Sequence, residues 1–583
     1  MSYLAISVAT ILSILVTTSI ESLYVRPLFM PPMIAVIVVL MAIMAIVGTG
    51  LHDRPLFMRF LLLALISVVL FVNFSIYLVQ PDVMMKPLYT TVDASRDYVN
   101  AARILKSSAV HAEELVFERY YTAFPVVPLQ ISVISLVTGL PINAAHLVMA
   151  VTIETIGVVS MWLLSVAVTS RVEPALGPSV GVLATIVVWL QPHLIDPAWF
   201  FTPIRFTIPL VVLVFYLVYR DFTRLGRPSR FVLMSILVLL LPVIAMHATP
   251  AMFLIALFLT VGFLVRWSRR STVSLAVISL LFFLLYLVSL AATPLHSLLG
   301  FMNSVYAALT EILSSGPSRF AETVLGWRIN VYQSELDLFA QALPLALVLS
   351  MCTACIVRSL RPSVQGSEDR TLSSLYVACG FFAMAGFGVG FILPYFRASV
   401  DMRYFVFPLT CLALVACAVV LTSALRNSGA SRMKGLILIG LVALYAFSMT
   451  SSPLFLPETS PAYARLIPTE SESAAARFVS KSVQESRATQ IVTDFPFHSH
   501  VISLMYSSRI GIEEKINIRA GLMSDSPDEQ TIVILRRYFL QSVYLRSFPH
   551  VKVLEDVDKW NSQVYNRVFD SHSTFIYLST PVD

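Results

Sequence analysis

The chain has 583 residues, of which 57% are hydrophobic and only 13% charged, with mean hydropathy +0.80 and formal net charge +6. A soluble domain carries about 25% charged residues, so this composition excludes an ordinary soluble globule. Its many aliphatic and aromatic residues exclude a disordered chain, and basic residues spread thinly through apolar sequence give no nucleic-acid signature. What remains is an α-helical polytopic membrane protein.

Apolar runs of the length a bilayer requires, about 20 residues, lie near 3–20, 31–50, 58–79, 143–168, 178–191, 205–219, 231–247, 250–265, 272–292, 340–357, 374–394, 403–425 and 435–451. That makes thirteen spans, some short enough to be tilted or broken. The first run lacks a basic leading region, so it reads as a transmembrane helix and not as a cleaved signal peptide. Loop charge sets the orientation. Arg54 and Arg59 follow the second span, and Arg220, Arg224, Arg227 and Arg230 crowd one short loop. Arg266, Arg269 and Arg270 crowd another, Arg358, Arg361 and Arg370 follow the tenth span, and Arg426, Arg432 and Lys434 follow the twelfth. All five loops fall on one side, the cytoplasm, provided residues 120–140 do not cross. Pro125 and Pro128 interrupt the start of that stretch, which reads as a helix lying in or dipping into the outer leaflet. The N-terminus is then cytoplasmic, and the loops 81–141 and 293–339 face outward. No internal repeat of the kind found in many secondary transporters is visible.

Residues 1–454 thus form the transmembrane domain and 455–583 an extracytoplasmic α/β domain. The tail holds 13 Lys and Arg against 15 Asp and Glu, a net of −2, where the rest of the chain has 27 against 19, a net of +8. Thr469 and Glu472 form a capping box that opens a helix. Gln490–Thr493, Thr531–Leu535 and Thr574–Leu578 read as strands, and Trp560–Phe569 as a helix. The five cysteines lie in or beside apolar runs and read as packing residues.

Charge is scarce in the membrane part, so ionisable groups at its outer face are informative. Asp93 and Asp97 are four residues apart in Asp93-Ala-Ser-Arg-Asp97-Tyr98, and on a helix they share a face. Two such carboxylates repel unless a proton or a cation lies between them. The pair therefore suits a general base, a divalent metal site holding Mg or Mn, or both. Asp93 is also well placed as a helix N-cap. Glu154 lies in the middle of the fourth span, where an ionisable group is either functional or bonded to a neighbouring helix. Asp196 and Arg205 flank an outer turn containing Trp199 and Phe200, residues expected as interface anchors. Asn73-Phe-Ser75 matches a glycosylation sequon but falls inside a span. Asp494, His498 and His500 could bind a metal or simply be solvated.

The acidic loop is followed by Tyr120-Tyr121-Thr-Ala-Phe-Pro125, then by Gly139-Leu-Pro141 and a long helix. This succession resembles the membrane glycosyltransferases of the GT-C fold, particularly uncharacterised archaeal-type members. Arg403 in Asp401-Met-Arg-Tyr-Phe-Val-Phe-Pro408 is similar to their outer-face arginine before a late span. Asn566-Arg-Val-Phe-Asp-Ser571, followed by Phe575-Ile-Tyr577, is similar to an ending seen in those proteins. The oligosaccharyltransferase branch is disfavoured, because its Trp-Trp-Asp-Tyr-Gly motif is absent. The resemblance implies inverting sugar transfer at the outer face. The donor would be a polyprenyl-phosphate sugar, and the acceptor a lipid-linked glycan, a protein or a cell-surface group. Asp93 and Asp97 would be catalytic, and Arg403, Arg397 and His247 would hold the donor phosphate. The alternative is a polytopic transporter or lipid-carrier flippase without transferase activity. Such a protein should carry polar pairs at the bilayer midplane.

Overall fold

The computed structural model describes residues 41, 55–79, 92–108, 126–189, 203–225, 229–246, 269–289, 335–360, 367–392 and 403–426, with short pieces between 251 and 259, and in the tail 474, 478–479 and five strands. The helices are α1 Pro55–Val79, α2 Val92–Ser107, α3 Val126–Thr138, α4 Ile142–Ser170, α5 Gly177–Trp189, α6 Pro203–Leu225, α7 Arg230–Met246, α8 Arg269–Ser289, α9 Glu335–Leu360, α10 Ser367–Ile392 and α11 Arg403–Arg426. Nine of these coincide with predicted spans. The predicted spans 3–20 and 435–451 lie outside the described residues, as do 31–50 apart from Met41 and most of 250–265. Over the described residues, α4 and the Leu409–Arg426 stretch of α11 are long and apolar enough to cross a membrane.

The core sits where α4, α5, α6 and α11 meet. Every residue of α5 is buried. The faces turned away from the core are apolar too. Phe231, Met234, Val238 and Leu241 on α7 recur at helical spacing, as do Val277, Leu281, Leu284 and Leu285 on α8, and all are exposed. Helices apolar all round suit a lipid surround. The cysteines of α9, α10 and α11 are all free and buried, which agrees with packing roles.

Several arginines assigned to loops ride on helix ends. Arg59 lies in α1, Arg220 and Arg224 close α6, Arg269 and Arg270 open α8, and Arg370 lies in the first turn of α10. A long side chain lets a helix continue past the apolar zone while its charge stays in water. The α6–α7 junction is locally satisfied. Ser229 caps α7, its Oγ accepting the Val232 N–H at 3.2 Å, and the buried Asp221 carboxylate accepts the Ser229 N–H at 2.8 Å. Burial raises the Asp221 pKa, but the Ser229 bonds and nearby Arg220 outweigh it and leave the net shift downward. Its contribution to stability is therefore complete above the ordinary carboxylate value, about 3.9, and is lost as pH falls through the depressed one. Asp221→Ala should cost about 1–2 kcal/mol, seen as a lower thermal midpoint at pH 7 with the gap closing in acid.

The described part of the predicted non-crossing segment is α3, of 13 residues, about 20 Å at 1.5 Å per residue. It buries Val127 and Ile131 and exposes Leu129, Val133, Leu136 and Val137. Gly139, with φ 72°, closes it in the left-handed conformation, its N–H reaching the Ser135 carbonyl at 2.9 Å. A side chain would strain that turn. Pro141 then precedes the first residue of α4.

In the tail, β1 Gln490–Thr493, β2 Asn517–Ala520, β3 Thr531–Arg536, β4 Tyr565–Ser571 and β5 Thr574–Ser579 form one sheet of order β2-β1-β3-β5-β4. β1 is parallel to β2 and β3, and β5 is antiparallel to β3 and β4. The helix expected at Trp560–Phe569 is corrected, since β4 occupies its second half. Val568 is an extra residue opposite the Arg567↔Tyr577 and Phe569↔Ile576 pairs. This bulge breaks the two-residue register that marks a strand.

Candidate functional site

Asp93 and Asp97 do lie on one helix, α2. Asp93 is its second residue, inside the start and not at the cap. Asp97, Asn100, Ala101 and Ile104 are buried and recur at the 3- and 4-residue spacing of one face. Asp93 falls on the same register. α2 packs on α3 and α4, and the Ser132 hydroxyl on α3 reaches the α2 carbonyl of Ala101 at 3.1 Å. Burial raises the pKa of the adjacent Tyr98 phenol above 10.0, so it stays a protonated donor at neutral pH. A buried carboxylate on a helix packed against α3 and α4 is an arrangement that can hold a proton or an acceptor hydroxyl.

Of the proposed donor-phosphate residues, Arg403 is the first residue of α11. Arg397 and His247 lie outside the described residues, as do Asp196, Asp494, His498 and His500. Among the described residues no group of three or more His, Cys, Asp and Glu gathers to hold a metal.

Sequence reading missed a second centre. Arg205, assigned to an interfacial cluster, is fully buried and forks onto Glu154, with Nε donating to Oε1 at 2.8 Å and Nη2 to Oε2 at 3.0 Å. Trp189 Nε1 donates to the same Oε2 at 3.0 Å and Asn73 Nδ2 at 3.2 Å. The guanidinium carbon stands 3.7 Å from the centre of the Trp189 ring. Gly157 makes room for this stack, because a β-carbon there would meet Trp189 Cζ2 and Pro209 Cγ at 3.0 Å. Four helices thus converge on one carboxylate. The motif that carries Asn73 had no reading beyond a sequon, yet the residue is one of the three partners of the Glu154 carboxylate.

Glu154 lies near the middle of α4, which has 29 residues and is about 44 Å long. Beyond the end of α4 come Arg171 and Glu173, and Glu173 faces Arg426 at 3.9 Å. His146, buried with its ring 6.1 Å from that of Phe206, lies about two turns nearer the start of α4.

No protein-family profile matches the chain, and no curated protein matches it in sequence. Among solved structures it is similar to ArnT from Cupriavidus metallidurans bound to undecaprenyl phosphate, at 12% identity and TM-score 0.44 over 89% of this chain and 98% of that one. The apo state of the same protein matches at 13% identity and TM-score 0.46, over the same shares of both chains. The chain is also similar to the Archaeoglobus fulgidus oligosaccharyltransferase tethered with an acceptor peptide, at 11% identity and TM-score 0.48 over 90% of this chain and 75% of that one.

Proposed function

We propose that this protein is a membrane glycosyltransferase of the GT-C type. It transfers a sugar, with inversion, from a polyprenyl-phosphate donor to a lipid-linked glycan, protein or cell-surface acceptor at the outer face. The supporting observation is the face of α2 that carries Asp93 and the buried Asp97. One carboxylate takes the proton of an acceptor hydroxyl or amide as the acceptor oxygen or nitrogen attacks the anomeric carbon. The phosphate leaves with the bond electrons, its charge steadied by Arg403, Arg397 and His247. A divalent cation, Mg or Mn, held by the same carboxylates is the other use of the pair. Transfer lost on chelation and restored by Mg or Mn would assign the pair to that role. Lipid extracts from cells with and without the protein test the function itself. A glycan or lipid-linked sugar lacking one unit in the deleted cells supports it, and unchanged glycans overturn it.

In this reading the N-terminus is cytoplasmic and the C-terminal domain extracytoplasmic. The native thiols are buried, so engineered cysteines report cleanly. Ser318→Cys and Ser524→Cys should react with an impermeant maleimide added outside, and Arg227→Cys should not. The reverse pattern would overturn the orientation.

A transporter or flippase is the second reading, and the buried Glu154–Arg205 pair favours it.

A further inference from the structure

Arg205 is held by one edge only. A guanidinium carries five N–H donors, and the fork to Glu154 uses two, one on Nε and one on Nη2. The opposite edge, Nη1 with the outer N–H of Nη2, remains. Nη1 is buried and has no hydrogen-bond partner among the described residues. A buried charged donor left unmade is costly, and such an atom in a native fold calls for a ligand or another specific cause.

The surroundings keep that edge presented. Glu154 cannot swing onto it, because Trp189 and Asn73 both hold Oε2 from other helices. The guanidinium cannot roll, because the Trp189 ring lies 3.7 Å away and is itself seated in the notch at Gly157. With Glu154 balancing Arg205, the pair carries no net charge.

We propose that this free edge of Arg205 binds a phosphate group, with Glu154, Trp189 and Asn73 as positioning residues. Two parallel N–H bonds from one guanidinium edge match two oxygens of a phosphate. The phosphate is borne by a lipid or is free in solution. The inference stands whichever of the two functional readings holds, since a transferase and a flippase would both handle a lipid phosphate.

The test measures binding, not transfer. Full-length protein in maltoside detergent is titrated with undecaprenyl phosphate, with phosphatidylglycerol and with inorganic phosphate. Arg205→Lys keeps a cation opposite Glu154 but offers no second planar edge. It should unfold near the wild-type midpoint and bind phosphate about tenfold to a hundredfold more weakly. If Arg205→Lys does not fold, the double variant E154Q/R205Q, which buries no charge, serves the same comparison. A lipid phosphate bound more tightly than inorganic phosphate, in an Arg205-dependent way, assigns the site to a lipid. Equal Arg205-dependent binding of both assigns it to free phosphate. Wild-type protein that binds none of the probes, or a variant that binds them as tightly as wild type, overturns the proposal.

Discussion

Replacing Asp93 by asparagine should leave the protein at its normal level and nearly abolish sugar transfer. A positioned base contributes about a hundredfold to ten-thousandfold in rate. Loss of a helix cap costs only about 1 kcal/mol, and Asp93, as the second residue of α2, is not the cap. Asparagine is isosteric with aspartate but cannot act as a base, so folding and chemistry separate cleanly. Asp97→Asn tests its partner, which is only 2% exposed. Transfer is measured in membranes supplied with a lipid-linked sugar. Wild-type rates from both variants would remove the catalytic assignment.

The second large effect is on stability. Removing one member of a buried ion pair leaves an uncompensated charge and typically costs about 3–5 kcal/mol, whereas replacing both members can be nearly neutral. Glu154→Ala should therefore lower the thermal midpoint severely, since it strands Arg205, Trp189 and Asn73 together. E154Q/R205Q should recover much of the loss. Single and double variants that are equally unstable would mean that the two residues contribute independently.

The two predictions rest on features that differed in how far the sequence revealed them. The Asp93–Asp97 face was legible because four-residue spacing is a local property of helices. The end of α3 was legible because Gly139 and Pro141 mark it. The Glu154–Arg205 pair was not, since its members are 51 residues apart and only packing of α4 on α6 brings them together. β4 was missed because its bulge gives a strand the local look of a helix.

The separation of Glu154 from Arg205 also bears on how the protein is made. Synthesis runs from the N-terminus at about 5–20 residues per second. The acidic residue therefore emerges several seconds before its cation, with 51 residues to be added between them. During that interval α4 carries a carboxylate that lipid does not tolerate well, and only Asn73, already synthesised, can meet it. The helix must wait in a sheltered, partly hydrated setting until α6 arrives. Committed insertion of this part of the chain is thus an event of several helices released together, not of one helix at a time.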